Sequence, residues 1–187
     1  KEQKPKPNSL EDKALKTIYN FYNTPSRKKR FEAFASKITA SIVNRSSRNY
    51  REGWITQGSS DGGADFIGRL DVGEGFATVK LIVLGQAKCE KFDSPTGGNH
   101  IARTVARLKR GWLGSYVTTS YFSESVQREV YEDEYPLILI NGQELAEEAL
   151  RIVSEEGYKS IYDLLEFIDA KYESMIKQRK PEEILLD

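Results

Sequence analysis

The sequence predicts an α/β domain: a central mixed β-sheet flanked by helices on both faces. Three observations carry that expectation. Two runs of strand-forming residues, Ala64 to Asp71 and Thr78 to Lys88, flank Val72-Gly73-Glu74-Gly75-Phe76, whose glycine content suits a hairpin loop. Further on, Tyr116 to Thr119 and Pro136 to Ile140 read as strands, separated by a helix that Ser123 caps and that runs to about Asp133. A strand–helix–strand succession of that kind joins parallel strands through a crossover. The remaining long segments repeat apolar residues at helical spacing.

Lys4-Pro5-Lys6-Pro7-Asn8 has the composition of a linker. Residue 1 is Lys and the only Met is Met175, so residues 1–8 are expected to join the domain at 9–187 to an N-terminal partner domain. Ser9, with Asp12 three residues on, opens a first helix carried by Leu10, Ala14, Leu15, Ile18 and Tyr22. Thr24 and Pro25 are placed to cap and open a second, whose apolar face is Phe31, Phe34, Ala35, Ile38 and Ile42. Glu32 stands at the edge of that stripe, where it is either an exposed helix carboxylate or a group able to reach a site beside the sheet. Trp54 to Gln57 is a short strand leading into Gly58-Ser59-Ser60-Asp61-Gly62-Gly63, a turn by composition.

After the hairpin, Cys89 to Gly98 is a polar loop. From Asn99 a helix is expected with Ile101, Val105, Leu108 and Trp112 on one side and Arg103, Arg107 and Arg110 along another, a candidate rail for a phosphate backbone or an ordinary solvent face. Gly142 turns into a helix from Gln143 to Val153, and Ser160 with Asp163 starts a last one reaching about Gln178. That helix and the apolar tail Ile184-Leu185-Leu186 exceed the evident needs of a core at about 25–154, which points to a subunit or interdomain contact and a homo-oligomer. A packed C-terminal appendage is the plainer alternative.

The hairpin carries the chemistry. Folded between Gly75 and Phe76, it sets Asp65 opposite Gln86, and Gln86 and Lys88, two apart on a strand, leave the same face. An acid, an amide oxygen and an ammonium then converge at one end of the ribbon. This set suits metal-assisted cleavage of a phosphodiester. Magnesium takes hard oxygen ligands, here the Asp65 carboxylate with the Gln86 side-chain carbonyl or a neighbouring backbone carbonyl such as that of Ala87. Lys88 would position or deprotonate the attacking water and offset charge building at phosphorus. Asp61 competes for the metal role. Asp before Gly-Gly also favours a turn through its own side chain, and Asp61 precedes the strand, so Asp65 is preferred.

Composition narrows the alternatives. At 187 residues the chain has room for one sizeable core, and no apolar run approaches the ~20 residues that span a bilayer. Cys89 is the only cysteine, which excludes an intrachain disulfide and fits a reducing cytoplasm. Twenty-eight basic residues balance 28 acidic ones, which argues against a uniformly basic nucleic-acid binder. Residues 1–51 nevertheless hold thirteen Lys and Arg against four acids, a local net of +9, so a basic face on a neutral protein is open, and solvated helix surface is equally so. Lys28 and Lys29, within Arg27-Lys28-Lys29-Arg30, and Arg45, Arg48 and Arg51 are candidate phosphate contacts. His100 is the sole histidine, no G-x-S-x-G stands near a strand-to-helix turn, and one Cys with one His cannot build a four-ligand zinc site. Gly73-x-Gly75 lacks the later residues of the nucleotide-phosphate loops.

Taken together, Phe31-Glu32, Asp61-Gly62-Gly63-Ala64-Asp65, Gln86-Ala87-Lys88, Gly114 to Ser123, and Leu137 to Gly142 resemble the PD-(D/E)xK nucleases, and within them the Mrr-like restriction endonucleases, where the second acidic position is often Gln. The Asp-to-Gln spacing is similar to that of the MspJI-type modification-dependent endonucleases. The resemblance implies a catalytic set of Asp65, Gln86 and Lys88 with Glu32 as a helix-borne accessory acid, Mg²⁺ as cofactor, and double-stranded DNA, including DNA bearing 5-methylcytosine, as substrate. It also implies a separate N-terminal DNA-recognition domain. Gln86 in place of the commoner acid lowers the charge of the metal site. A degenerate binding or assembly module, or a nuclease for junctions or RNA, are the rival readings.

Overall fold

A computed structural model describes residues 2–47, 49–57 and 63–187. Helices α1 (Leu10–Tyr22) and α2 (Phe31–Ser46) precede strands β1 (Tyr50–Ile55), β2 (Phe66–Val72) and β3 (Val79–Lys88). Then follow α3 (Gly98–Val105), β4 (Trp112–Thr118), α4 (Glu124–Glu132), β5 (Leu137–Ile140), α5 (Gly142–Glu156) and α6 (Ile161–Met175), with a short 3-10 segment at Pro181–Leu186. The five strands lie in sequence order, antiparallel from β1 to β3 and parallel from β3 to β5. Two crossovers, through α3 and α4, make the parallel half.

The hairpin has the expected register. Val72 pairs with Val79 and Phe66 with Gly85, so the ribbon folds about the bond between Gly75 and Phe76. Period two then splits β3 cleanly. Val83 packs with Ala40, Val43 and Tyr50 on one side, whereas Ile82 and Leu84 join Trp54, Ile67 and Trp112 on the other. The first face is covered by α1, α2, α5 and α6, whose Ile18, Phe34, Leu145 and Leu164 build the main core with Phe66, Val117 and Ile140 of the sheet. The second is covered by α3 and α4, through Ile101 and Val126 on Tyr116, and by the C-terminal segment, through Ile184.

Several boundaries differ from expectation, each for a local reason. Helix α2 starts at Phe31 rather than Pro25, because the Thr24 carbonyl accepts from the N–H groups of both Arg27 and Lys28, closing a turn, and residues 28–30 form a 3-10 turn. Strand β1 starts at Tyr50 and ends at Ile55, not Trp54 to Gln57. Helix α3 stops at Val105 instead of running to Trp112. Gly111 takes φ +79 in a turn where the Trp112 N–H donates to the Lys109 carbonyl, and Trp112 opens β4. The apolar spacing 101, 105, 108, 112 therefore mixed a helix with a strand. Of the C-terminal surplus, Leu164, Leu165, Ile168 and Tyr172 are buried in the main core and Ile184 is 2 % exposed against the sheet, whereas Tyr162, Phe167 and Leu186 stay exposed. Among the described residues no helix is long and apolar enough to cross a membrane.

Candidate active site

The open end of the β2–β3 hairpin holds the site. Asp65 is fixed by its backbone, its N–H donating to the Gly85 carbonyl at 2.8 Å and its carbonyl accepting from the Thr56 N–H at 3.0 Å. Its carboxylate Oδ2 accepts from the Ala87 N–H at 2.7 Å. Asp65 and the Gln86-Ala87-Lys88 run are therefore coupled through strand pairing rather than through flexible side chains. Gln86 Nε2 donates to the Gly63 carbonyl at 2.5 Å, and Arg107 donates to the same oxygen at 2.6 Å while its guanidinium lies 3.5 Å from Gln86 Oε1. Gly63 is required there: it sits at φ +72, and a Cβ would fall 2.4 Å from the Arg107 guanidinium carbon.

Lys88 extends beyond Gln86 on the same face, and its Nζ meets Glu90 Oε1 at 3.1 Å and His100 Nε2 at 2.7 Å. Glu90 is anchored in turn, since Thr96 donates to its Oε2 at 2.8 Å and Thr119 both donates to its carbonyl and accepts from its N–H. Thr118 and Thr119, at the end of β4, thus hold the segment that follows Lys88.

Glu32, in the first turn of α2, is mostly buried, and its Oε2 has no hydrogen-bond partner among the described residues. Burial first, and then the negative charge of Asp65, push its carboxyl up to about 8, with Lys29 opposing. Burial likewise pushes Asp65 up to about 6 against the Ala87 N–H, Arg107 and Lys29. Two acids raised by burial, one of them also by the charge of the other and with an idle oxygen, form an incompletely neutralised site, and a cation would complete it. Asp65, Glu32, the Gln86 amide oxygen and the Ala87 carbonyl are all hard oxygen donors of the kind Mg²⁺ takes. Among the described residues no cluster of three or more His, Cys, Asp or Glu is arranged to hold a metal, so the set depends on amide and backbone oxygens.

The structure also sorts the basic candidates. Arg103, exposed on α3, and Arg110, exposed in the turn before β4, do not share a helical stripe with Arg107, because α3 has ended and Arg107 turns into the site. Lys28 and Lys29 lie in the 3-10 turn before α2, and Lys29 reaches the Gln57 carbonyl at 3.4 Å. Arg45 is paired with Glu148 at 3.4 Å and Arg51 with Asp71 at 3.8 Å. Arg48 and Asp61 lie outside the described residues. Glu90, His100 and the inward turn of Arg107 were missed from sequence. Glu90 lies two residues past Lys88, where β3 has ended, so strand periodicity did not single it out.

A family model described as restriction endonuclease, Mrr_cat, matches residues 27–149. In solved structures the fold is similar to MspJI restriction endonuclease in complex with a 27-mer oligonucleotide, at 41% identity and TM-score 0.92 over 100% of this chain and 41% of that one. It is also similar to the DNA modification-dependent restriction endonuclease AspBHI, at 24% identity and TM-score 0.71 over 92% of this chain and 42% of that one, a likeness of fold. The chain thus spans about two fifths of the length of either enzyme. No curated protein matches the sequence.

Proposed function

Because the chain belongs to the Mrr_cat family of restriction endonucleases, we propose that it hydrolyses DNA phosphodiester bonds with Mg²⁺, in a modification-dependent manner, at the end of the β2–β3 hairpin. The observation that carries the reading is the hairpin register, which brings Asp65 onto the Ala87 N–H and aligns Gln86 and Lys88 on one face. Asp65, Gln86 and Ala87 would hold the metal, with Glu32 as accessory acid from α2. When bound, the ion supplies positive charge to the phosphate and acidifies water.

The remaining steps fall to side chains of this chain. Lys88, held between Glu90 and His100, orients the attacking water and offsets charge developing on the phosphate. Arg107 keeps the Gln86 amide oriented through the shared Gly63 carbonyl. Arg103, Arg110, Lys28 and Lys29 contact the backbone of the duplex, a sequence-blind task. Base recognition, including that of 5-methylcytosine, resides in an N-terminal domain outside this chain, and cleavage is carried out by a homo-oligomer. The oligonucleotide bound by MspJI and the modification dependence in the description of AspBHI support the choice of substrate.

The test is cleavage of methylated and unmethylated plasmid by the whole protein, with Mg²⁺ and with EDTA, beside Lys88→Ala and Asp65→Asn. Cleavage that requires the metal and falls at least ~100-fold in both variants is expected, a loss typical of removing a group that stabilises the transition state. Undiminished cleavage by either variant refutes the role given to that residue, and no cleavage by the parent leaves a DNA-binding module in place of a nuclease.

A further inference from the structure

His100 enters the site although no motif singled it out for this chemistry. We propose that it is a positioning residue for Lys88: Nζ stands over the face of its neutral imidazole, near both ring nitrogens, and the ring, jointly with Glu90, fixes the ammonium where the attacking water is bound. This rests on the nuclease reading above and on the role of Lys88 within it.

A lysine stem has four rotatable bonds, and one ion pair leaves its ammonium free to swing. Here Nζ has two anchors on separate segments, Glu90 at 3.1 Å and His100 Nε2 at 2.7 Å, with Nδ1 of the same ring at 3.3 Å. Both anchors rise from backbone that is itself held. Glu90 is tied to Thr96 and Thr119, while His100 sits in the first turn of α3, its N–H donating to the Gly97 carbonyl and its own carbonyl accepting from Thr104.

The identity of the second anchor has a physical consequence. A second carboxylate would hold Nζ as well but would cancel the positive charge the phosphate needs; a neutral imidazole holds it without that cost. The groups facing the ring favour the neutral form. Partial burial, Lys88 and Arg103 lower its pKa below the ordinary 6.5, against the opposing charge of Glu90. Glu129 of α4 lines the same shallow cavity of about 430 Å³ beside the ring.

The experiment compares His100→Ala, which removes the ring, with His100→Phe, which keeps a ring face beneath Nζ, in the whole protein on a duplex that the parent cleaves. Ala is expected to lower kcat ~10- to 100-fold with KM for the duplex held within about twofold, the size expected from misplacing a catalytic group by about 1 Å. Phe is expected to recover most of that loss. Parental kcat in the Ala variant overturns the proposal, as does equal impairment of Ala and Phe or a change confined to KM. Lys88→Ala runs alongside: if it is inactive while His100→Ala is untouched, only the His100 inference fails. If Lys88→Ala cleaves normally, the role of Lys88 fails and the His100 inference falls with it.

Discussion

Glu32 shows how a residue with no surface role can report on a site. Its carboxyl moves from an ordinary 4.5 to about 8 in the folded chain, so the folded state holds its proton more tightly than the unfolded state does. For an acid shifted upward the sign is unfavourable: the penalty is absent below about pH 4.5, grows as pH rises toward 8, and is complete above it. Integrated over that window it is on the order of 5 kcal/mol. Metal-free Glu32→Gln is therefore expected to be more stable than the parent at pH 9 and equal to it at pH 4 in denaturant titrations. Adding Mg²⁺ at pH 9 should raise the stability of the parent more than that of the variant. A parent whose stability is flat between pH 5 and 9 in EDTA would contradict the burial of this carboxyl. The motif made Asp65, Gln86 and Lys88 legible because strand periodicity fixes which side chains share a face. Glu32 was readable only as an acid at the edge of an apolar stripe, since a helix pattern does not say what lies beyond that edge. His100 was unreadable, as its approach to Lys88 depends on where α3 begins, and nothing local in the sequence dictates that.

At the scale of the element, the hairpin works because a large ring covers a missing side chain. Phe66 is fully buried and lies across Gly85, its cross-strand partner; a Cβ on Gly85 would stand 2.1 Å from the ring. Gly85→Ala is expected to cost ~1–3 kcal/mol of unfolding free energy, the usual range for overpacking. It should also reduce cleavage, because the Gly85 carbonyl holds the Asp65 N–H. Combining it with Phe66→Leu should recover part of the stability, a relief that thermal unfolding would detect; a double variant no better than Gly85→Ala would show that the ring is not the obstacle. The pairing itself was legible from turn composition and alternation, the glycine contact was not. Helix α3 shows the opposite failure. Its apolar spacing ran on convincingly to Trp112, and only the turn at Gly111, combined with the pull of Trp112 into the cluster with Ile82 and Leu84, divides helix from strand.

For the whole molecule, part of the surplus of positive charge in residues 1–51 is consumed internally. Arg30 pairs with Glu173 at 2.7 Å, Lys37 with Glu156 at 2.6 Å, Arg45 with Glu148 and Arg27 with Asp169, so basic residues around α2 meet acids of α5 and α6. Such partly exposed pairs add little stability each, yet they withdraw these four cations from a polyanion and leave Lys28 and Lys29 outside any ion pair among the described residues. If Arg103 and Arg110 touch phosphates, the double Ala variant should bind duplex more weakly in EDTA at every salt concentration. It should also flatten the slope of log affinity against log salt by about 1.8, at roughly 0.9 for each lost contact. An unchanged slope in fluorescence anisotropy would remove both from the interface. Charge counting along the chain could not foresee this, because sequence halves that differ in sign give no hint of whether they face each other or the solvent.

The hairpin also bears on how such a chain can change over time. Its turn, with Phe76 fully exposed, begins at Val79, roughly 23 Å from Gln86 at about 3.3 Å per residue, the far end of the ribbon from the chemistry. Residues can be gained or lost beyond Val72 and Val79 without altering which residues pair below them. A single insertion inside β2 or β3 would turn every side chain beyond it to the other face and separate Asp65 from Lys88. Tolerance to changes in length is therefore concentrated at the tip. New contacts can be grafted or discarded there while the two strands keep the spacing on which cleavage depends.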